Sequence, residues 1–210
     1  ILVTRSMAQA LSLAKQRHLR LACLTQRGPE TTIRSVTTSP TNRPYWVVPG
    51  KLAAGAYPNR HSVTSDDQID VVGHLLRVGI RDFVNLTQDR PGGTESHLVR
   101  YDQAINGRAS VSRFEIPDFG IPTVDAMTAI LDHIDRQLAA GLGVYVHCWA
   151  GVGRTGTVVG CWLIRHQLAE SDNVLSVIAK RREGNQETAD HTSPETEAQR
   201  QFVRAWQTGR

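Results

Sequence analysis

Val144-Tyr145-Val146-His147-Cys148-Trp149-Ala150-Gly151-Val152-Gly153-Arg154-Thr155-Gly156 joins two buried elements and thereby sets the fold. Val144 to Val146 reads as a short buried strand. From Thr155 to Gln167 the chain is apolar on most sides (Val158, Val159, Cys161, Trp162, Leu163, Ile164), which predicts a central helix covered by other elements. Between them, Gly151 and Gly153 let the backbone turn successive N–H groups inward, a concave nest suited to a phosphate-sized anion. A helix starting near Arg154 adds its positive end. Arg154, six positions after Cys148, can return a planar fork to two anion oxygens, a contact lysine does not reproduce. Cys148 then lies at the floor of a donor-lined site, where a thiolate is favoured over a thiol.

Working outward, strand-like runs at Tyr45 to Val48 and Leu52 to Tyr57, split by Pro49-Gly50, predict a hairpin. Ser65-Asp66-Asp67-Gln68 has the capping-box pattern and is followed by Ile69, Val72 and Leu76, with Gly79 as the stop; the expectation is a helix over 66–78. A strand follows at Ile80 to Leu86, a weaker helix at Glu95 to Asn106 ending at Gly107, and a strand at Val111 to Ile116. After Pro122-Thr123, helical spacing links Met127, Ile130, Leu131, Ile134 and Leu138, with Gly141 past the end. Two helices complete the chain. One is capped by Ser171 and spans 172–182; the other has Ser193 as N-cap, Pro194 at its first position and the acids Glu195 and Glu197 in its first turn. Strands alternating with helices, then a run of helices, predict an α/β domain with a central, mostly parallel sheet flanked by helices and a ligand site at the strand carboxyl ends.

With 210 residues, 40% of them hydrophobic and 21% charged, the chain has the composition of one globular core. No run approaches the roughly 18 to 20 apolar residues of a membrane span, and no repeat period is visible. The net charge of +4 is uneven: residues 1–43 hold seven Lys/Arg against Glu30, and the remaining 167 residues carry a net −2. That basic stretch, rich in Ser and Thr, reads as an extension or linker, with residues 44–210 as the domain. It fits an organelle transit peptide, a tail, or a chain that starts upstream of Met7. Three cysteines (Cys23, Cys148, Cys161) without a C-x-x-C pair argue against disulfides and a structural zinc, and point to a reducing cytoplasm. No H-x-H or H-E-x-x-H pattern occurs among the eight histidines, so no metal and no cofactor is expected.

His147 to Gly156 resembles the H-C-x-x-G-x-x-R-[ST]-G signature of cysteine-dependent protein tyrosine and dual-specificity phosphatases, and the wider likeness covers about residues 45–210. The resemblance implies the compact dual-specificity fold and a phosphocysteine intermediate on Cys148. It implies phosphoryl binding by Arg154 and by the loop Trp149-Ala150-Gly151-Val152-Gly153, stabilisation of the leaving thiolate by the Thr155 hydroxyl, and a supporting role for His147. A departing alkoxide or phenoxide needs a proton. Phe114-Glu115-Ile116-Pro117-Asp118-Phe119-Gly120-Ile121-Pro122 resembles the family's acid loop, with Asp118 as acid and then base. Glu115 is the backup, sent to the opposite side by strand alternation. Gln199 is the candidate for positioning the hydrolytic water, against a bland reading as a solvated surface residue; Gln186 is weaker.

Trp149 and Val152 stand where lipid-directed relatives carry lysines, which argues against a polyanionic inositol lipid. The expected substrate is a phosphoprotein, at phosphotyrosine and also at phosphoserine or phosphothreonine. Competing readings keep the chemistry on an RNA 5′-phosphate end or an inositol phosphate, with the basic extension as docking surface, or make the chain a silent phosphate-binding module or a rhodanese-like sulfur carrier. Cys161, 13 positions after Cys148, reads as a core residue, with a protective disulfide to Cys148 as the alternative.

Overall fold

The computed structural model describes residues 44–59, 70–185 and 188–209. Strands β1 (Tyr45–Val48), β2 (Leu52–Gly55), β3 (Ile80–Asn85), β4 (Ser110–Arg113) and β5 (Gly143–His147) form one sheet in the order β1-β2-β5-β3-β4. Only β1 and β2 pair antiparallel, through the expected hairpin, in which Gly50 takes a φ of +70° and Lys51 N–H bonds to Val48 C=O at 3.0 Å. The other pairings are parallel, so β5 is the central strand and its carboxyl end opens between β2 and β3.

The helices are α1 (Val71–Arg77), α2 (Asp102–Ile105), α3 (Val124–Ala139), α4 (Gly153–Arg165), α5 (Val174–Arg182) and α6 (Glu197–Arg204). Strand alternation divides the core between the two faces of the sheet. Val144, Val146 and Cys148 face a larger cluster with Met127, Ile130, Ile134, Trp162, Leu163, Ile178 and Val203; Tyr145 faces a smaller one with Leu75, Phe83, Tyr101 and Ile105. Every residue of α4 from Gly153 to Ile164 is buried, which explains a sequence apolar nearly all round. α3 has the expected Thr123 cap, whose hydroxyl accepts Ala126 N–H at 3.2 Å, and Gly141, with a φ of +79°, follows its C-cap Ala140.

Six elements differ in their bounds or caps from the sequence pattern. β2 and β3 stop at Gly55 and Asn85, and β4 runs from Ser110 to Arg113, short of Ile116. The helix expected over Glu95 to Asn106 shrinks to the single turn α2. Upstream, the chain is a series of turns built on Glu95, whose carboxylate accepts Gln88 N–H at 2.9 Å while its own N–H bonds Gln88 C=O at 3.3 Å. Such local side-chain bonding competes with a helix, and Pro91-Gly92-Gly93 favours it. Ser171 does not cap α5; Asn173 holds the N-cap position, and its Oδ1 accepts Glu170 N–H at 3.0 Å. Thr196, rather than Ser193, caps α6, in a reciprocal capping box with Gln199. Ser193 is drawn off to donate to Val152 C=O at 2.8 Å, and Glu195 precedes the helix. The basic extension 1–43 with Cys23, the Ser65–Gln68 pattern and Gln186 lie outside the described residues. Among those described, no helix is long and apolar enough to cross a membrane.

Candidate active site

β5 delivers His147 and Cys148 to the carboxyl edge of the sheet, and the chain turns through residues 149–152 into α4. Gly151 makes the turn possible: its φ is +74°, and a Cβ there would collide with the backbone of Gly55 and Ala56. Gly153 has a different reason from the one its sequence suggests. It is the first helical residue, not a left-handed one, and a Cβ would sit 3.0 Å from Gln199 Oε1 and 3.1 Å from Glu195 Oε2. No side chain caps α4, so the N–H groups of its first turn remain available for an anion. Tyr57 N–H to Trp149 C=O and Leu86 N–H to His147 C=O, both 3.0 Å, tie the loop to its flanking strands.

A pocket opens over this loop, lined by Asp118, Phe119, Cys148, Trp149, Ala150, Gly153, Arg154, Glu195 and Gln199. Cys148 and Cys161 are free, buried thiols. Burial pushes the Cys161 thiol well above its ordinary pKa, as expected of a core residue. The side chain of Arg154 is 1% exposed. Its Nη1 donates to Glu95 Oε2 at 2.6 Å and to Ile116 C=O at 3.2 Å, and its Nη2 donates to Glu95 Oε1 at 2.9 Å. Asp118 Oδ1 makes an ion-pair contact with the same Nη2 at 2.9 Å, although the Asp118 side chain is half exposed. Burial works against ionisation of Glu95, but the bonds from Arg154 and from Gln88 N–H outweigh it and hold the carboxyl below its ordinary value. The Arg154 Nε–H has no partner among the described residues.

The opposite end of the loop is neutral. Burial pushes the His147 imidazole down to about 3. Its Nδ1 lies 3.3 Å from Cys148 C=O, which can only accept, so Nδ1 carries the proton and Nε2 accepts from Tyr101 O–H at 2.5 Å. Desolvation likewise keeps the Tyr101 hydroxyl protonated. Tyr57 packs edge-on against both rings and donates to Asp89 at 2.8 Å; Asn85 at 2.9 Å and Arg113 at 3.0 Å complete the shell around that carboxylate.

The sequence-predicted residues thus converge, with particular differences. Trp149 is 39% exposed at the rim, tilted against Tyr57. Val152 is buried below the loop rather than lining the pocket. The Thr155 hydroxyl donates to Gly55 C=O over a long 3.4 Å. Glu115 is turned away to Arg90, 2.6 Å distant. Gln199 is not a solvated surface residue: it is fully buried, its Nε2 donates to Gly120 C=O at 3.0 Å, and its Oε1 accepts the N–H groups of Glu195 and Thr196 at 3.1 Å. The sequence reading missed Glu95, Tyr101 and Asp89. The glycine and proline punctuation after β3 was the signal that Glu95 belonged to a loop at the strand ends.

Known proteins place this geometry. Of solved structures, Tk-PTP in its active form shares the fold with a TM-score of 0.58 at 24% identity, covering 77% of this chain and 93% of that one. An uncharacterized protein of Methanocaldococcus jannaschii is 39% identical over 80 residues, 35% of this chain and 54% of that protein. The dual specificity protein phosphatase CDC14AB of Danio rerio is 28% identical over 146 residues, 67% of this chain and 22% of that protein. The chain spans about half the length of the first curated relatives it matches. A family model described as "Polymorphic toxin system, DSP-PTPase phosphatase" matches residues 54–168, more than half of the sequence, and this chain belongs to that family.

Proposed function

We propose that residues 44–210 form a phosphatase domain that hydrolyses phosphomonoesters of proteins, at phosphotyrosine and also at phosphoserine or phosphothreonine, through a phosphocysteine on Cys148. One observation carries this reading: Arg154, beside Cys148 in one pocket, is gripped by the buried Glu95 and touched by the half-exposed Asp118. Glu95 and Ile116 C=O occupy one side of the guanidinium, leaving Nε–H and the Nη2 position where Asp118 rests. A phosphoryl group docking bidentately takes those two positions and displaces Asp118. The freed Asp118 carboxylate takes up a proton from solvent and faces the leaving group as an acid.

The Cys148 sulfur attacks phosphorus, an S–P bond forms and the P–O bond to the leaving group breaks, with Asp118 giving its proton to the departing oxygen. Water next attacks phosphorus while Asp118 takes its proton; the P–S bond breaks, and phosphate and thiolate are restored. The Thr155 hydroxyl, weakly engaged with Gly55, can rotate its proton toward that thiolate. The N–H groups of the loop and of α4 hold the equatorial oxygens. Gln199, which bonds to Gly120 in the acid loop and lines the pocket, is assigned to hold the attacking water through its remaining Nε2–H. No metal or cofactor enters these steps. Three cysteines without a C-x-x-C pair support a reducing, cytoplasmic setting. Glu195 at the mouth disfavours RNA ends and inositol phosphates, whose further phosphates it would repel. The basic extension 1–43 is assigned no part in the chemistry.

The test is hydrolysis of p-nitrophenyl phosphate without added metal, beside Cys148→Ser. Turnover abolished by that substitution supports the reading. A wild type that binds vanadate but turns over nothing makes the chain a silent phosphate-binding module.

A further inference from the structure

Glu195 is the acid of the pocket that takes no part in the chemical steps. It lines the mouth together with Phe119 and Trp149, its side chain makes no hydrogen bond or ion pair among the described residues, and Oε2 stands 3.1 Å from the position of a Cβ on Gly153. Its backbone is nevertheless pinned. The N–H is taken by Gln199 Oε1 at 3.1 Å and the carbonyl by Arg200 Nη1 at 2.8 Å. Arg200 does not neutralise the carboxylate, because its Nε pairs with Glu197 at 2.9 Å. A negative charge is thus held, uncompensated, beside the place where a phosphate dianion docks.

We propose that Glu195 selects phosphopeptides that carry Lys or Arg next to the phosphorylated residue; this deepens, and rests on, the phosphatase reading above. A substrate that brings only negative charge meets repulsion from Glu195, whereas one that brings a cation beside its phosphate turns the same carboxylate into a partner. Asp118 does not serve this purpose, since it is held by Arg154 at rest and engaged by the leaving group in turnover. The rim suits the rest of such a side chain. Phe119 is 59% and Trp149 39% exposed, and both flank the mouth, offering apolar and π surface to an alkyl stem and its charged head. The competing account is that Glu195 merely favours the N-terminus of α6, which begins two residues later. The two accounts differ in what they predict for substrate discrimination.

The experiment compares two phosphotyrosine peptides, identical except for Arg or Gln beside the phosphotyrosine, together with p-nitrophenyl phosphate, at low and high salt. The wild type should favour the Arg peptide in kcat/KM by about 1.5- to 5-fold, the range of an exposed ion pair, through KM, and salt should erode the preference. Glu195→Gln should erase it while raising kcat/KM for the Gln peptide and for p-nitrophenyl phosphate, because a repulsion is gone. Glu195→Lys should invert it. Equal losses on all three substrates, or a preference that survives Glu195→Gln, would assign Glu195 to α6 and overturn the proposal. Turnover without an Arg preference defeats this inference alone; no turnover of any substrate defeats the phosphatase reading and this inference with it.

Discussion

At the His147 end of the loop between β5 and α4 the side chain is fully buried, neutral and bonded to a tyrosine hydroxyl, whereas at the Arg154 end an equally buried side chain is charged and faces two carboxylates. Burial is common to both; the cost differs. A neutral imidazole leaves no charge to compensate, so aromatic rings and one hydroxyl suffice around it. A buried guanidinium needs a counter-charge at once, and here the compensation is split. Glu95 gives two short bonds from inside the protein, and Asp118 gives one contact from a half-exposed loop. The neutral end can only hold geometry, while the charged end has a part that, in the proposed mechanism, leaves when an anion arrives.

The split is broken most severely by removing the half-exposed partner. Asp118→Asn should lower kcat by roughly 10²- to 10⁴-fold, the range of general acid–base catalysis, while vanadate affinity stays the same or rises as Arg154 is released. The loss should be larger on phenyl phosphate than on p-nitrophenyl phosphate, whose leaving group needs a proton less. A steady-state comparison of the two substrates checks this. Equal losses on both would remove Asp118 from proton transfer.

Glu95→Gln attacks the fixed half. An amide offers the guanidinium one oxygen in place of two, so vanadate affinity and kcat/KM should both fall by roughly 10- to 100-fold, the worth of a charge-assisted hydrogen bond. Thermal stability should drop as well, because a buried charge loses part of its partner. If Glu95→Gln lowered kcat alone, as Asp118→Asn is expected to, the two carboxylates would not divide their work as described.

The same contrast explains what could be read without coordinates. His147 to Gly156 is ten consecutive residues, and its strand, turn and helix are dictated by local preferences that survive any tertiary setting. The mostly parallel sheet followed from alternating periodicities. Glu95, 59 positions from Arg154, announces nothing, since an acid in a Gly-rich segment has many ordinary explanations and only the β3–β5 pairing brings it near. For Gln199 the sequence leaves a water-positioning role and a solvated surface residue both open, because nothing local reveals that Gly120 C=O approaches it. Ser193 failed as a cap for a related reason: Val152 C=O, 41 residues earlier, competes for its hydroxyl. Where a side chain's best partner is distant, local rules misplace it.

His147→Asn should cost least in rate, since the proposed mechanism gives the imidazole no proton to exchange with substrate, and should declare itself in the pH dependence of stability. Burial lowers the folded-state pKa to about 3, whereas the unfolded chain takes up a proton near 6.5. Between those values the unfolded state binds more protons, so stability is complete above pH 6.5 and declines as pH falls toward 3. The slope is about 1.4 kcal/mol per pH unit, or about 2 kcal/mol by pH 5. The carboxyls of Asp89 and Glu95, held below their ordinary values, contribute only at lower pH. His74, also lowered by burial, shares the window, so the difference between wild type and His147→Asn isolates the one residue. Denaturant unfolding at pH 7.5, 6 and 5 should therefore give a smaller loss of stability on acidification in the variant; parallel losses in the two proteins would mean that His147 is already protonated in the fold, and the neutral end of the loop would not be neutral.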